Sequence, residues 1–200
     1  MKYCGIDYSY TCPAIALWDD TTEFCFSNIN IYAYYSVKRY CQQFGNNILI
    51  SEQPEYETPE QRFKNIAMWA EAILILEKPD LVTLEGYALG SSKNTNNIFQ
   101  TAENTSLLKQ MLRRLDLPFE ISTPTHTKKV FSGKGNAKKP EMIEVFEKLF
   151  DVDMRLIMGI TAKDPKPIDD LVDAFANLVS GEEFASNLPH LIKRIETCHY

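Results

Sequence analysis

The chain has 200 residues, 44% of them hydrophobic and 24% charged, with a formal net charge of −6. That is long enough to bury one sizeable core, and the net negative charge speaks at first against nucleic acid. Five cysteines (Cys4, Cys12, Cys25, Cys41, Cys198) without C-x-x-C spacing argue against a disulfide framework and a zinc site and favour reduced thiols inside a cell. The longest apolar stretch, residues 66–76, is interrupted by Glu71 and is too short to span a membrane. The opening "MKYCGIDYSY" lacks the apolar run of a signal peptide.

In chain order, "KYCGIDYSYTCPAIALWDD" predicts a strand, a break at residues 11–13 and a second strand closing at Asp19-Asp20. "EFCFSNINIYAYY", rich in aromatic and β-branched residues, predicts a third strand. The chain therefore opens as an antiparallel meander. Residues 42–57 are polar and read as loop. "TPEQRFKNIAMWAEAILILEK" predicts a helix, with Thr58 and Gln61 fitting a capping box and Pro59 at the first helical position. Its buried stripe is Phe63, Ala67, Ala70 and Leu74. "PDLVTLEGYA" gives a short strand that closes on Glu85, followed by the polar loop "LGSSKNTNN". "TAENTSLLKQMLRRLD" predicts a helix with Glu103 and Asn104 as capping residues near its start, and "PFEISTP" a strand. "TKKVFSGKGNAKKP" reads as a loop, "EMIEVFEKLF" and "IDDLVDAFANLV" as helices, and residues 182–196 as a last helix. Three strands followed by alternating strands and helices predict one α/β domain over residues 1–200, a mixed sheet flanked by helices.

Charge is unevenly spread. Residues 107–148 carry nine basic and five acidic side chains, which gives an acidic chain a candidate phosphate-binding face. Within it Lys128, Lys129, Lys134, Lys138 and Lys139 stand in a stretch without acids. Gly133 and Gly135 permit sharp turns, Phe131 interleaves an aromatic, and the stretch runs into a helix N-terminus near residues 139–141. A solvated surface loop is the plain alternative. The order of a P-loop is absent.

Acids occupy telling positions. Asp7 ends the first strand, and Glu85 closes a Leu-Val-Thr-Leu run, where a carboxylate is costly to desolvate unless paired or metal-bound. On the late helix Asp170 and Asp173 share a face beside the stripe Leu171, Phe175 and Leu178. Asp169 suits a helix N-cap, and this helix alone leaves structure and function evenly weighed. Acids on two strand ends, faced by acids on a helix, converge on one point. Four such carboxylates repel one another unless cations lie between them. Hard oxygen ligands suit Mg²⁺ or Mn²⁺, and two such ions about 3.5–4 Å apart are the usual apparatus of phosphodiester hydrolysis.

The order and surroundings of these acids resemble the RuvC-type Holliday junction resolvases. The resemblance covers roughly residues 1–180 and rests on "GIDYS", "LEGYA", "GKGNAKK" and "DDLVDA" in sequence. "FQTAENTSLLKQML" is similar to viral, especially phage, members. It implies an RNase H-like fold, with Asp7, Glu85, Asp170 and Asp173 as catalytic acids holding two Mg²⁺ or Mn²⁺ ions and Asp7 bridging both. It implies that Lys128 and Lys139 approach the scissile phosphate, and that Lys129, Lys134 and Lys138 hold DNA backbone. Tyr87 is the nearest candidate for the family's aromatic wedge, and Tyr8-Ser9 stands where the family has Pro-Gly after its first Asp.

The implied partner is branched DNA, a four-way junction nicked in pairs to leave 5′-phosphates. The junction's twofold symmetry implies a homodimer. The helix over residues 102–115 offers Leu107, Leu108, Met111, Leu112 and Leu115 to a mate or to its own core. The implied setting is the cytoplasm, that of a host cell for a viral member, with no membrane. The alternatives are the same chemistry on flaps, forks or hybrids, and a junction-binding protein without catalysis. A sugar- or actin-type ATPase domain also opens on a "GID" strand, but "DYSYTCP" lacks the glycine-rich phosphate turn that it needs.

Overall fold

The structure is a computed structural model that describes residues 1–86, 95–161 and 166–198, with the backbone alone for 95–98 and 193–198. Tyr87 lies outside the described residues. The strands are β1 (Lys2–Asp7), β2 (Ala14–Asp19), β3 (Asn30–Tyr35), β4 (Gln43–Phe44), β5 (Ile48–Glu52), β6 (Leu81–Glu85) and β7 (Phe119–Ser122). The α-helices are α1 (Pro59–Glu77), α2 (Thr95–Arg114), α3 (Pro124–Ser132), α4 (Lys139–Phe150), α5 (Met154–Met158), α6 (Ile168–Ser180) and α7 (Glu182–Cys198). Among the described residues the strands form one sheet in the order β4-β5-β3-β2-β1-β6-β7. β1, β2 and β3 make the expected antiparallel meander, while β6 joins β1 in parallel and β7 joins β6 in parallel. No helix among the described residues is long and apolar enough to cross a membrane.

Side-chain alternation divides the strands between two cores. Cys4, Ile6 and Tyr8 of the first strand region, with Val82 and Leu84 of β6, pack under α1 and α2 against Ile66, Ala70, Leu74, Leu108 and Leu112. Tyr3 lies on the other face, where Phe131, Phe146, Phe175 and Phe184 bring in α3, α4, α6 and α7. By the same period, Gly5 and Asp7 of β1, and Thr83 and Glu85 of β6, belong to this second face. The pattern that builds the core therefore puts both strand-end acids under α6.

Several elements differ from the sequence reading. Residues 42–57 are not all loop: they contain β4 and β5, and β5 pairs in parallel with β3. The third strand begins only at Asn30, after a 3-10 turn at Phe26–Asn28. In α1, Thr58 caps the Gln61 N–H as expected, but the Gln61 side chain accepts from Glu57 N instead of closing the box on Thr58. Its buried stripe takes Ile66 where Ala67 was expected. α2 starts at Thr95, so Glu103 and Asn104 are interior to it and cap nothing. Asn104 is buried instead. Leu108, Met111 and Leu112 lie in the chain's own core, while Leu107 stays 40% exposed. The basic stretch is not simply a loop either: its first half is α3, capped by Thr123, opened by Pro124 and closed by Gly133 at φ +76°.

Candidate active site

α6 reaches the sheet by backbone contact. A Cβ on Gly5 would stand 2.1 Å from Leu178 N and 2.3 Å from Ala174 O, so only glycine lets the helix lie this close to β1. A buried polar chain then fixes its rotation. Asn177 Nδ2 donates to the Ile6 carbonyl at 3.0 Å, and Thr127 Oγ1 of α3 donates to Asn177 Oδ1 at 3.2 Å. Thr127 also bonds Ser122 of β7 and Ser180 of α6. Each such bond, once buried, is costly to leave unmade. Asp170, Asp173 and Asn177 are spaced three and four apart, so the residue that anchors the helix lies on the same face as its acids.

The described geometry brings Asp7, Glu85, Asp170 and Asp173 into one electrostatic cluster. Burial pushes the Asp7 carboxyl well above the usual range, and the charges of Asp170, Asp173 and Glu85 push it further. Asp173 is pushed up to about 7 by burial, helped by Glu85, Asp169 and Asp170 against the opposing charge of Lys139. Asp170 is raised by burial and by Asp169, with Lys166 opposing. Glu85, the last residue of β6, is exposed. The protein around it nonetheless raises its carboxyl, and Lys128 and Lys139 pull it back. The basic residues named from the sequence thus divide. Lys128 (α3) and Lys139 (first residue of α4) bear on the acids, whereas Lys129, Lys134 and Lys138 are exposed beyond them, Lys134 reaching Glu141 at 3.4 Å. Phe131 is buried edge-on against Phe175 and is no stacking surface.

Two residues of the site, Lys166 and Cys12, escaped the sequence reading, and a third, Asp169, was expected there as a helix cap. Asp169 is not the helix cap: Pro167 holds that position, and Asp169, 2% exposed, is ion-paired with Lys139. Its Oδ1 is buried without a hydrogen-bond partner. The acids that bear on Asp7 are Asp170, Asp173 and Glu85. Lys166 Nζ lies 2.6 Å from each oxygen of Asp170, an i,i+4 pair that the spacing in "KPIDD" offered as a signal. Cys12, fully buried, stands beside Asp170, which together with burial raises its thiol.

Among the described residues no three acid, imidazole or thiol side chains are drawn together into a ready-made metal cage. The donor set still fits a hard divalent ion. It is all carboxylate and mutually repelling, and next to it in sequence Asp169 keeps a buried oxygen without a hydrogen-bond partner. A pH dependence follows. Acids raised in the folded state contribute stability that is full below the ordinary carboxylate range and is lost as pH climbs through their folded values. In EDTA the protein is expected to melt at progressively lower temperature from pH 5 to pH 8. Thermal melts across that window check this, and a rising Tm would refute the raised acids.

The mixed sheet, whose neighbouring central strands end in acids and whose face carries a helix with further acids, has an RNase H-like α/β fold. No family model matches the chain. Over 122 residues it is 30% identical to the crossover junction endodeoxyribonuclease RuvC of Carboxydothermus hydrogenoformans, covering 61% of this chain and 70% of that protein. Its fold is shared with Thermus thermophilus RuvC in complex with a Holliday junction substrate, at TM-score 0.61 and 15% identity over 94% of this chain and 96% of the other. It is also shared with the Fowlpox virus resolvase in complex with its substrate Holliday junction DNA, at TM-score 0.50 and 17% identity over 94% and 99%. The chain belongs to the RuvC family of crossover junction endodeoxyribonucleases.

Proposed function

We propose that this protein is a divalent-metal-dependent, structure-selective DNA endonuclease that resolves four-way junctions by paired nicks. The observation that carries the reading is the cluster of Asp7, Glu85, Asp170 and Asp173 with Lys128 and Lys139 at its edge. The four acids would hold Mg²⁺ or Mn²⁺, two ions per site. When bound, the ions supply an activated water and charge for the leaving 3′ oxygen. Lys128 and Lys139 steady the charge that develops on the phosphate. Lys129, Lys134 and Lys138 hold the DNA backbone further out. The products are a 5′-phosphate and a 3′-hydroxyl.

Two nicks on a twofold junction call for two copies of the single nuclease domain. Leu107 of α2 and the α1 residues Met68, Ile75 and Leu76 are exposed apolar side chains that a mate would cover. The likeness to viral members suggests the cytoplasm of a host cell as the setting and replicated viral DNA as the source of junctions.

The test is cleavage of a mobile four-way junction mapped at nucleotide resolution, beside linear duplex, flap, fork and RNA–DNA hybrid. Symmetric nicks in the junction and an intact duplex are expected. Equal cutting of duplex and junction would sink the resolvase reading, better cutting of flaps or forks would reassign the substrate, and binding without cleavage in Mg²⁺ and Mn²⁺ would leave a junction-binding protein. Lys128→Met and Lys139→Met are each expected to slow cleavage on the order of 10²-fold while junction affinity falls less. Lys129→Ala, Lys134→Ala and Lys138→Ala are expected to weaken binding at every sequence and to lower the salt slope by about 1 each. Salt titrations of affinity and single-turnover rates separate the two groups.

A further inference from the structure

Lys166 is a residue of this site that the proposed reaction does not use. It stands two residues before α6, and its side chain folds forward over the first turn. The ammonium lies 2.6 Å from both Asp170 oxygens and 3.9 Å from Asp169 Oδ2. Lys139, arriving from α4, takes Asp169. Two lysines from different elements thus each hold one acid of the Asp169-Asp170 pair. Lys166 engages Asp170 through both of its oxygens, the atoms with which a carboxylate would ligate a metal.

We propose that Lys166 is the resident counter-ion of the site, a positioning residue that holds Asp170 in place before a divalent ion arrives and that the ion must displace. The inference rests on the metal-dependent reading above. Without a cation, Asp170 would face Asp7, Asp169 and Asp173 unscreened in a buried place, and the start of α6 would be pushed off the sheet. A divalent ion among several carboxylates carries twice the charge of the ammonium and wins the exchange. Its net affinity is lowered by the pair it breaks. Lys166 thereby keeps the site assembled and sets the metal concentration at which it fills.

Mn²⁺ is the probe. Full-length wild type, Lys166→Met, Lys166→Arg and Asp7→Asn are titrated with Mn²⁺ and free ion is read by electron paramagnetic resonance, beside thermal melts in EDTA. Lys166→Met is expected to bind Mn²⁺ at least about tenfold more tightly and to melt lower in EDTA, and Lys166→Arg to return both values toward wild type. A second readout needs no variant: acylation of lysines on wild type, followed by mass spectrometry. Lys166 is expected to react slowly in EDTA and several-fold faster in saturating Mg²⁺, with exposed Lys129 unchanged.

Equal or weaker Mn²⁺ binding by Lys166→Met, with binding intact in wild type and lost in Asp7→Asn, overturns the role of Lys166 and leaves the metal reading standing. Binding by none of the four proteins, with Lys166 acylation unmoved by Mg²⁺, overturns both. Should Lys166→Met fail to fold, the acylation result on wild type decides.

Discussion

Asp7→Asn is expected to abolish junction cleavage while making the metal-free protein more stable. Asp7 is buried at the end of β1 against Asp170, Asp173 and Glu85, and burial with those three charges raises its carboxyl. An amide of the same shape removes one of the repelling charges without opening a cavity. At pH 8 in EDTA the variant should gain roughly 1–3 kcal/mol, read as a Tm higher by about 3–10 °C. Loss of a metal-holding acid removes several kcal/mol from the transition state, so cleavage should fall by on the order of 10³-fold or more. Junction binding in EDTA should persist. A variant that is both inactive and less stable would show that Asp7 is a structural residue with satisfied bonds, and retained cleavage would remove it from the centre altogether.

Gly5→Ala is expected to be the most damaging single-carbon change in the site's scaffold, although Gly5 carries no chemistry. The added methyl would meet Leu178 N at 2.1 Å, Ala174 O at 2.3 Å and Leu178 Cα at 2.5 Å, all backbone atoms. No rotamer change relieves such contacts, so α6 must lift from β1. That breaks the Asn177 bond to Ile6 and parts Asp170 and Asp173 from Asp7. The expected loss is more than about 3 kcal/mol, with cleavage lost even where the protein still folds. Gly133→Ala is the control: nothing lies within 4 Å, and only φ +76° resists it, a cost of about 1–2 kcal/mol. Urea unfolding of the pair checks the contrast. A Gly5→Ala protein within roughly 0.5 kcal/mol of wild type, the range of ordinary surface substitutions, would refute the close seating of α6.

Much of this arrangement was legible in the chain. Period-two alternation puts Asp7 on the face of Tyr3 and Gly5, opposite Cys4 and Ile6, and strand-end position puts Glu85 beside it. Helical spacing gathers Asp170 and Asp173. What stayed hidden depends on distant partners or on weak local preferences. β5 reads as loop because its longer pairing, with β3, is parallel and comes from across the chain, and its hairpin partner β4 is only two residues long. α3 is built from Thr, His, Val and Phe, modest helix formers, and its lysines suggest a solvated loop. Yet Thr123-Pro124 at one end and Gly133 at the other were legible boundaries. The Lys139–Asp169 pair needs tertiary placement, and the local Lys166–Asp170 pair was masked because an acid at a helix start reads equally well as a cap. Gly5 read as an ordinary strand residue because the clash it avoids lies on a helix some 170 positions away, a separation set by Leu178 and Ala174.

β1 and β6 are neighbours in the sheet, Ile6 opposite Leu84. Everything from Tyr8 to Leu84 is therefore one excursion that leaves the centre and returns to it. The edge pair β4 and β5 lies at its far end, four and three strands from β1, which carries Asp7. Residues can be inserted or removed there without changing the separation of the acids at its two feet. Evolution, or an engineer, can graft a new DNA-contacting element onto that outer edge while the cutting machinery stays as it is. The same tolerance leaves the length between "GID" and "LEG" free to change while the two acids stay side by side.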